Sequence, residues 1–296
     1  MKIGFIGLGI MGLPMSKNLL AAGHELVVND RDQGRMDELV ALGAGVAGTA
    51  REIAEQVELV ITMLPNSPQV REVALGAGGL IEGARPGLVY VDMSSIAPLA
   101  CREVATALAA EQVAMLDAPV SGGEPKAVDA TLSIMVGGER RTFDQVRDVL
   151  SAMGSTVVHV GEIGAGNITK LANQVVVALN IAAVCEALVL AQKAGVAPEA
   201  VFEAIRGGLA GSTVLEAKAP MMLDHNFKPG FRIDLHIKDL TNALEASHEA
   251  GVPLPLTAAV LEMLTALKAT GHGYEDHSAL VQHYEQLAGT RIERKS

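Results

Sequence analysis

Three groups of residues have the types and the spacing to do chemistry. Gly7, Gly9 and Gly12 in "IGFIGLGIMG" follow a G-x-G-x-x-G pattern, Ser121, Gly122 and Gly123 stand together in "DAPVSGGEPKA", and Lys170 lies in "GAGNITKLANQ". In the first group Gly7 permits a tight turn, Gly9 lets backbone approach a pyrophosphate, and Gly12 allows close helix–strand contact. The helix that opens there would face phosphates with unpaired N–H groups. In the second group a hydroxyl and two unshielded backbone N–H groups form a nest suited to a carboxylate, although Ser-Gly-Gly is equally good turn chemistry. The third group is expected in or near the first turn of a long helix, where the positive end of the dipole disfavours an ammonium. A lysine able to give up its proton is what carbonyl reduction requires. Asn173 and Gln174, its i+3 and i+4 neighbours, are substrate-binding candidates on the same helix face.

Other candidates fall where an open α/β sheet binds a dinucleotide, outside the carboxyl ends of its strands. Ile10 and Met11 lie between the last two glycines. Asp30, 18 residues after Gly12 at the end of "ELVVND", is placed to meet the adenosine ribose hydroxyls and favours NAD(H), while Arg31 beside it leaves NADP(H) possible. Met63, Leu64, Pro65 and Asn66 in "MLPNS", with Ser94 and Ser95 in "DMSSIAP", would line the nicotinamide side.

The elements that must position these residues can be read from periodicity. "KIGFIG", "ELVVND", "LVITML", "LVYVDM" and "VAMLDA" are short β-rich runs separated by helical patterns, which implies a parallel sheet covered on both faces. "TLSIMVGG" and "STVVHVG" read as two further strands. After Gly161 the pattern turns wholly helical, beginning with the long run "NITKLANQVVVALNIAAVCEALVLAQKAG". The fold class is therefore α/β: a Rossmann-type dinucleotide-binding domain over residues 1–162, followed by an all-α domain over 163–296.

Composition excludes several functions. Of 296 residues, 49% are apolar and 19% charged, as in a globular chain, and a net charge of −11 argues against nucleic acid as a partner. An anionic substrate must then be met by a local positive site. Cys101 and Cys185 form no framework and read as buried thiols of a reducing compartment. "MKIGFIGLG" runs directly into a glycine turn, and a cytoplasmic location is expected. The run "VVVALNIAAVCEALVLA" is interrupted by Asn180 and Glu186, so it reads as a helix buried in protein, not in a membrane. Eight histidines, with His272 and His277 five apart, show no familiar ligand spacing, so no metal is expected. The tail "RIERKS" reads as a solvated end.

Four segments, "FIGLGIMGLPMSKNL", "DAPVSGG", "GAGNITK" and "LHIKDL", resemble the β-hydroxyacid dehydrogenase family, which includes 3-hydroxyisobutyrate and 6-phosphogluconate dehydrogenases. The resemblance runs end to end. It implies that Lys170 is the catalytic proton donor, that Ser121, Gly122 and Gly123 hold the substrate carboxylate, and that Phe231 and Lys238 close over cofactor and substrate. It also implies an NAD(P)-dependent reduction of a small carboxylate-bearing aldehyde, and a homo-oligomer, dimer or tetramer, joined through the helical domain. Longer stretches, "DAPVSGGEPKAVDATLSIMVGG" and "IRGGLAGSTVLEAKAPMM" among them, are similar to the branch that reduces tartronate semialdehyde to D-glycerate. A branch acting on 3-hydroxyisobutyrate or succinic semialdehyde is the near alternative. Most of the family has asparagine four residues after the lysine, where this chain has Gln174. A nucleotide-sensing module without chemistry would need no lysine opposite the cradle.

Overall fold

The first strand shows how the amino-terminal half is built. In β1 (Lys2–Ile6), Ile3 and Phe5 enter one apolar layer while Ile6 enters another, because successive side chains of a strand point to opposite faces. The same alternation recurs in β2 (Glu25–Asn29), β4 (Leu59–Thr62), β5 (Val89–Asp92) and β6 (Ala114–Asp117). Leu26, Leu59, Val91 and Leu116 belong to the first layer, and Val27, Val60, Tyr90 and Met115 to the second. A sheet apolar on both faces must be covered on both. Helices α1 (Gly12–Ala21) and α2 (Gln33–Val40) bring Met15, Leu19 and Leu39 to the first layer. Helices α3 (Ala50–Ala54), α4 (Ser67–Leu75) and α5 (Pro98–Ala110) bring Ile53, Val70 and Val104 to the second.

This computed structural model describes residues 1–294. Its nine-stranded sheet runs β3-β2-β1-β4-β5-β6-β8-β7, with β9 beside β8. Here β3 is Gly45–Val46, β7 Val120–Ser121, β8 Ser133–Gly137 and β9 Thr156–Gly161. Strands β1 to β6 are mutually parallel. The sheet is not parallel throughout, however: β8 runs antiparallel to β6 and β7, and β9 follows β8. The short helix α6 (Gly123–Val128) follows the Ser-Gly-Gly turn, and α7 (Arg140–Ser151) joins β8 to β9.

Helix α8 spans Ala165–Lys193, 29 residues. The chain divides into two compact units, Met1–Lys170 and a second from Leu171 onward. The divide falls inside α8, eight residues beyond the boundary after residue 162 expected from the pattern change. In the second unit Ala178, Ile181, Cys185 and Leu188 of α8 recur at helical spacing and join one apolar core. Helices α9 (Pro198–Ile205), α10 (Thr213–Leu223), α11 (Ile233–Glu249), α12 (Pro255–Leu267) and α13 (Leu280–Ala288) supply Phe202, Met222, Leu240, Leu264 and Leu280 to it. By length and composition alone α8 could cross a bilayer, a test that the core helix of a globular unit also passes. The tail is more than a solvated end: Ile292 is buried, and Arg294 pairs with Asp224 at 3.0 Å. Lys295 and Ser296 lie outside the described residues.

Candidate active site

At the carboxyl end of β1, the glycine loop fits a pyrophosphate. A Cβ on Gly12 would collide with Gly7 O, and one on Gly7, where φ is +94°, would collide with Met63 O. A Cβ on Gly9 would meet only Arg35 Nη1, at 3.8 Å, so space stands open where a phosphate must approach backbone. Ile10 is exposed and Met11 packs against the first apolar layer. Asp30 braces this loop: its Oδ2 accepts from Leu8 N–H at 2.5 Å and its Oδ1 from Asp32 N–H at 2.8 Å. A carboxylate offers about four acceptor sites, so ribose hydroxyls can still be met. The Arg31 guanidinium is turned to Glu72 at 3.2 Å, with both side chains exposed.

The carboxyl ends of β4 and β5 are tied by a hydroxyl–carboxylate chain that sequence spacing does not reveal. Asp92 Oδ1 accepts from Thr62 Oγ1 at 2.8 Å and from Ser94 Oγ at 2.5 Å, and Leu64 N–H donates to Ser94 Oγ at 2.8 Å. Met63 and Leu64 are thereby held against Gly7, and Met63 N–H also donates to Ile6 O at 2.9 Å. Burial, more than the neighbouring Asp117, raises Asp92 to about 6 against the three hydrogen bonds it accepts from Thr62 and Ser94. Pro65 is exposed, Asn66 stands at the N-terminus of α4 with its Oδ1 buried and unpartnered, and Ser95 is half-buried.

The Ser-Gly-Gly segment follows β6 as expected. Ser121 ends β7 paired with Ser133, and Gly122 and Gly123 have φ of +142° and +69°, conformations that favour glycine. Lys170 is 8% exposed, so its side chain is withdrawn from bulk water along most of its length. It stands in the second turn of α8, not the first, since the helix begins at Ala165. The dipole argument for Lys170 therefore weakens, because that influence fades beyond the first turn. The first turn is occupied instead by Asp117, whose Oδ1 accepts from Gly164 N–H at 2.7 Å and whose Oδ2 accepts from Asn167 N–H at 2.7 Å. Asp117 and Asn167 are functional candidates that motif reading missed.

The remaining candidates lie in the second unit. Gln174 is buried; its Oε1 accepts from Asn173 Nδ2 at 2.8 Å and its Nε2 donates to Asp239 Oδ2 at 2.6 Å. Lys238 Nζ pairs with Asp239 Oδ1 at 3.1 Å. Asp239, next in sequence to a named candidate, completes an amide–carboxylate–ammonium chain. Phe231 packs on the rings of His236 and His277 at centroid distances of 5.7 and 5.4 Å, and these two histidines meet through their Nδ1 atoms at 2.9 Å. Among the described residues no group of three His, Cys, Asp or Glu is arranged to hold a metal ion. Cys101 and Cys185 are both free and buried, and burial pushes both thiols up.

Residues 2–161 match the NAD binding domain of 6-phosphogluconate dehydrogenase, and residues 164–284 match the NAD-binding domain of NADP-dependent 3-hydroxyisobutyrate dehydrogenase. The 2-hydroxy-3-oxopropionate reductase of Escherichia coli is 44% identical over 292 residues, covering 99% of this chain and all of that one. The 2-(hydroxymethyl)glutarate dehydrogenase of Eubacterium barkeri is 39% identical, covering 98% and 97% of the two chains. The crystallised 3-hydroxyisobutyrate dehydrogenase of Mycobacterium tuberculosis, described with L-serine, superposes with a TM-score of 0.88 at 34% identity, covering 96% and 98%. With a doubly wound nucleotide domain, a helical second unit and full-length relatives of this kind, the chain belongs to the β-hydroxyacid dehydrogenase family of NAD(P)-binding oxidoreductases.

Proposed function

We propose that the protein reduces tartronate semialdehyde (2-hydroxy-3-oxopropanoate) to D-glycerate with NAD(P)H, Lys170 acting as proton donor. The observation that carries this reading is a buried lysine on a helix whose first turn is bonded to Asp117, four residues ahead of Ser121. Bound nicotinamide supplies the hydride. Ser121 Oγ and the N–H groups of Gly122 and Gly123 hold the substrate carboxylate and so fix the aldehyde carbon. Lys170 Nζ gives its proton to the carbonyl oxygen as negative charge develops there. Of the two amides after Lys170, Asn173 is the better substrate contact, because Gln174 is buried with both ends of its amide engaged. Met63, Leu64, Pro65, Asn66 and Ser95 belong to the nicotinamide side in this reading, and Phe231 and Lys238 keep the binding roles that the family resemblance implies.

NADH is the favoured cofactor on the strength of Asp30, whose carboxylate repels a 2′-phosphate, and Arg31 is occupied by Glu72. The substrate assignment draws on the 44% identical reductase. The second reading, 3-hydroxyisobutyrate or another semialdehyde, draws on the similarity to 3-hydroxyisobutyrate dehydrogenase. Kinetics with tartronate, methylmalonate and succinic semialdehydes and both cofactors separate them; the first reading expects the highest kcat/KM for tartronate semialdehyde with NADH. Lys170→Ala should lose about 100- to 10,000-fold in kcat while NADH binding is retained; near-normal turnover would remove Lys170 from the mechanism. Val176 and Leu190 leave α8 apolar and exposed, which favours a homo-oligomer joined through the helical unit. Light scattering tests this, and a stable monomer contradicts it. A cytoplasmic location suits the two free thiols and is tested by cell fractionation.

A further inference from the structure

We propose that Asp117 is the positioning residue that sets where Lys170 stands relative to the Ser121-Gly122-Gly123 cradle; the proposal rests on Lys170 being the proton donor. Asp117 acts in two directions. Its backbone closes β6 between Asp92 of β5 and Gly137 of β8. The path from there to the cradle has no slack: Ala118 N–H donates to Asp92 O at 2.7 Å, Met135 N–H donates to Pro119 O at 3.1 Å, and Ser121 is paired with Ser133.

Its side chain holds the other partner. A helix start leaves N–H groups that no carbonyl of the helix can reach, and Asp117 takes two of them, Gly164 N–H on Oδ1 and Asn167 N–H on Oδ2. Asn167 Nδ2 also donates to Asp117 Oδ2 at 3.2 Å, while Asn167 Oδ1 accepts from Ile96 N–H at 3.0 Å. The first turn is thus tied to β6 and to Ile96, four residues after β5. Only a carboxylate can accept through both oxygens at once, and its charge is favourable at a helix N-terminus. A serine or asparagine cap would satisfy one of the two donors.

Packing removes what freedom remains. A Cβ on Gly166 would stand 2.5 Å from both Asp117 O and Met135 O, and one on Gly137 would collide with Asp117 Oδ1. Two bare Cα positions let the helix start lie directly on the strand ends. Lys170 follows Asn167 by three residues, hence one turn up a rigid helix. Its height above the cradle is therefore set by the Asp117 carboxylate. A reacting group displaced by about 1 Å loses on the order of 100-fold in rate, so a residue that touches neither substrate nor cofactor carries that weight.

The test is Asp117→Asn, isosteric but with an amide N–H turned toward one of the two donors. With tartronate semialdehyde and NADH, kcat is expected to fall about 10- to 100-fold. KM and the NADH dissociation constant, read by fluorescence, should stay within about threefold, and amide exchange from Gly164 to Lys170 should accelerate. Asn167→Ala, which leaves the backbone clamp in place, should move the same quantities less, and it decides the matter if D117N does not fold. A purely structural cap predicts a lower Tm with kcat of the folded enzyme unchanged; that result overturns the proposal, as does a kcat loss matched by an equal loss of NADH affinity. Lys170→Ala is measured beside them. An inactive K170A with an unimpaired D117N refutes the positioning role alone, whereas an active K170A refutes the proton-donor reading and the proposal with it.

Discussion

Asp92, at the carboxyl end of β5, and Asp276, just ahead of α13, are both completely buried and are held in opposite ways. Asp92 meets hydroxyls and one N–H on Oδ1, and its Oδ2 has no hydrogen-bond partner. Asp276 meets an ammonium and backbone: Lys218 Nζ donates to both oxygens at 2.9 Å, Gly230 and Phe231 N–H donate to Oδ2, and Ser278 N–H donates to Oδ1. Burial drives each carboxyl up. For Asp92 burial prevails, and the group rises from 3.8 to about 6. For Asp276 the neighbouring His277 and Lys218 and the N–H bonds outweigh it, and the group falls from 3.8 to about 2.

The difference reflects what holds the backbone in each unit. At the end of β5, where the sheet consumes the neighbouring N–H groups, the buried Asp92 serves mainly hydroxyls and orders the turns at two strand ends. Asp117, at the end of β6, instead takes N–H groups that the start of α8 leaves over. Where there is no sheet, one ion cluster must organise a loop. Residues 226–232 lie between α10 and α11, and Asp276 is their main anchor, aided by Asp276 N–H donating to Phe227 O and His277 N–H to Phe231 O. Removing Asp276 leaves Lys218, 15% exposed, and three N–H groups unpaired. Asp276→Ala should therefore be the most damaging change outside the reacting groups, at about 3–5 kcal/mol, measured by denaturant unfolding. The Phe231 loop should lose exchange protection first. A loss below about 1 kcal/mol would mean that apolar packing alone orders this loop.

The pH dependence of stability sharpens the contrast. A native value of about 6 for Asp92 lies above 3.8, so the folded state binds its proton more tightly. That stabilisation is full below 3.8 and is lost as pH rises through about 6, a change of about 3 kcal/mol by linkage. For Asp276 the sign reverses: its contribution, about 2 kcal/mol, is present above 3.8 and is lost as pH falls through about 2. Asp92→Asn, which cannot titrate, should lose its disadvantage to wild type between pH 4 and 7. Asp276→Asn should gain nothing over that interval. Unfolding curves at four or five pH values decide it, and parallel profiles for wild type and D92N would show that Asp92 stays ionised.

The legible parts of this molecule are those whose cause is local. The strands announce themselves by alternation, and Gly7, Gly9 and Gly12 by spacing, because a strand face and a turn are each decided within a few residues. The anchors are silent for the opposite reason. Asp117 reaches partners 47 and 50 positions on, Gln174 finds Asp239 at 65, and Asp276 finds Lys218 at 58. No window of sequence joins them. The start of α8 is hidden in the same way, since "GEIGAG" looks like linker until Asp117 supplies the missing acceptors. The reversed direction of β8 is likewise invisible, since the alternation that marks a strand is the same in either direction.

Within the glycine loop the comparison narrows to two positions of one motif. Gly12→Ala forces a Cβ onto Gly7 O and should destabilise the first unit by about 1–3 kcal/mol while weakening NADH binding. Gly9→Ala meets only Arg35 Nη1 at 3.8 Å, so stability should hold while NADH affinity still falls. Thermal unfolding with and without NADH separates the two effects. An unchanged affinity in G9A would place the pyrophosphate elsewhere.

The smallest effects belong to the helix caps, and they compare the units directly. Ser212 Oγ accepts from Leu215 N–H at 2.9 Å at the start of α10, and Thr49 Oγ1 accepts from Glu52 N–H at 3.1 Å at the start of α3. Truncating either cap costs about 1 kcal/mol in general. At α3 the loss is cushioned, because Glu52 Oε2 also accepts from Gly48 N–H at 2.7 Å and the helix stays seated on the sheet through Ile53. Ser212→Ala should therefore cost more than Thr49→Ala and should raise amide exchange along α10, near the loop that Asp276 holds. If the units unfold independently, each substitution shifts only the transition of its own unit; if T49A lowers the midpoint as far as S212A, the sheet gives its helices no protection that the helical unit lacks.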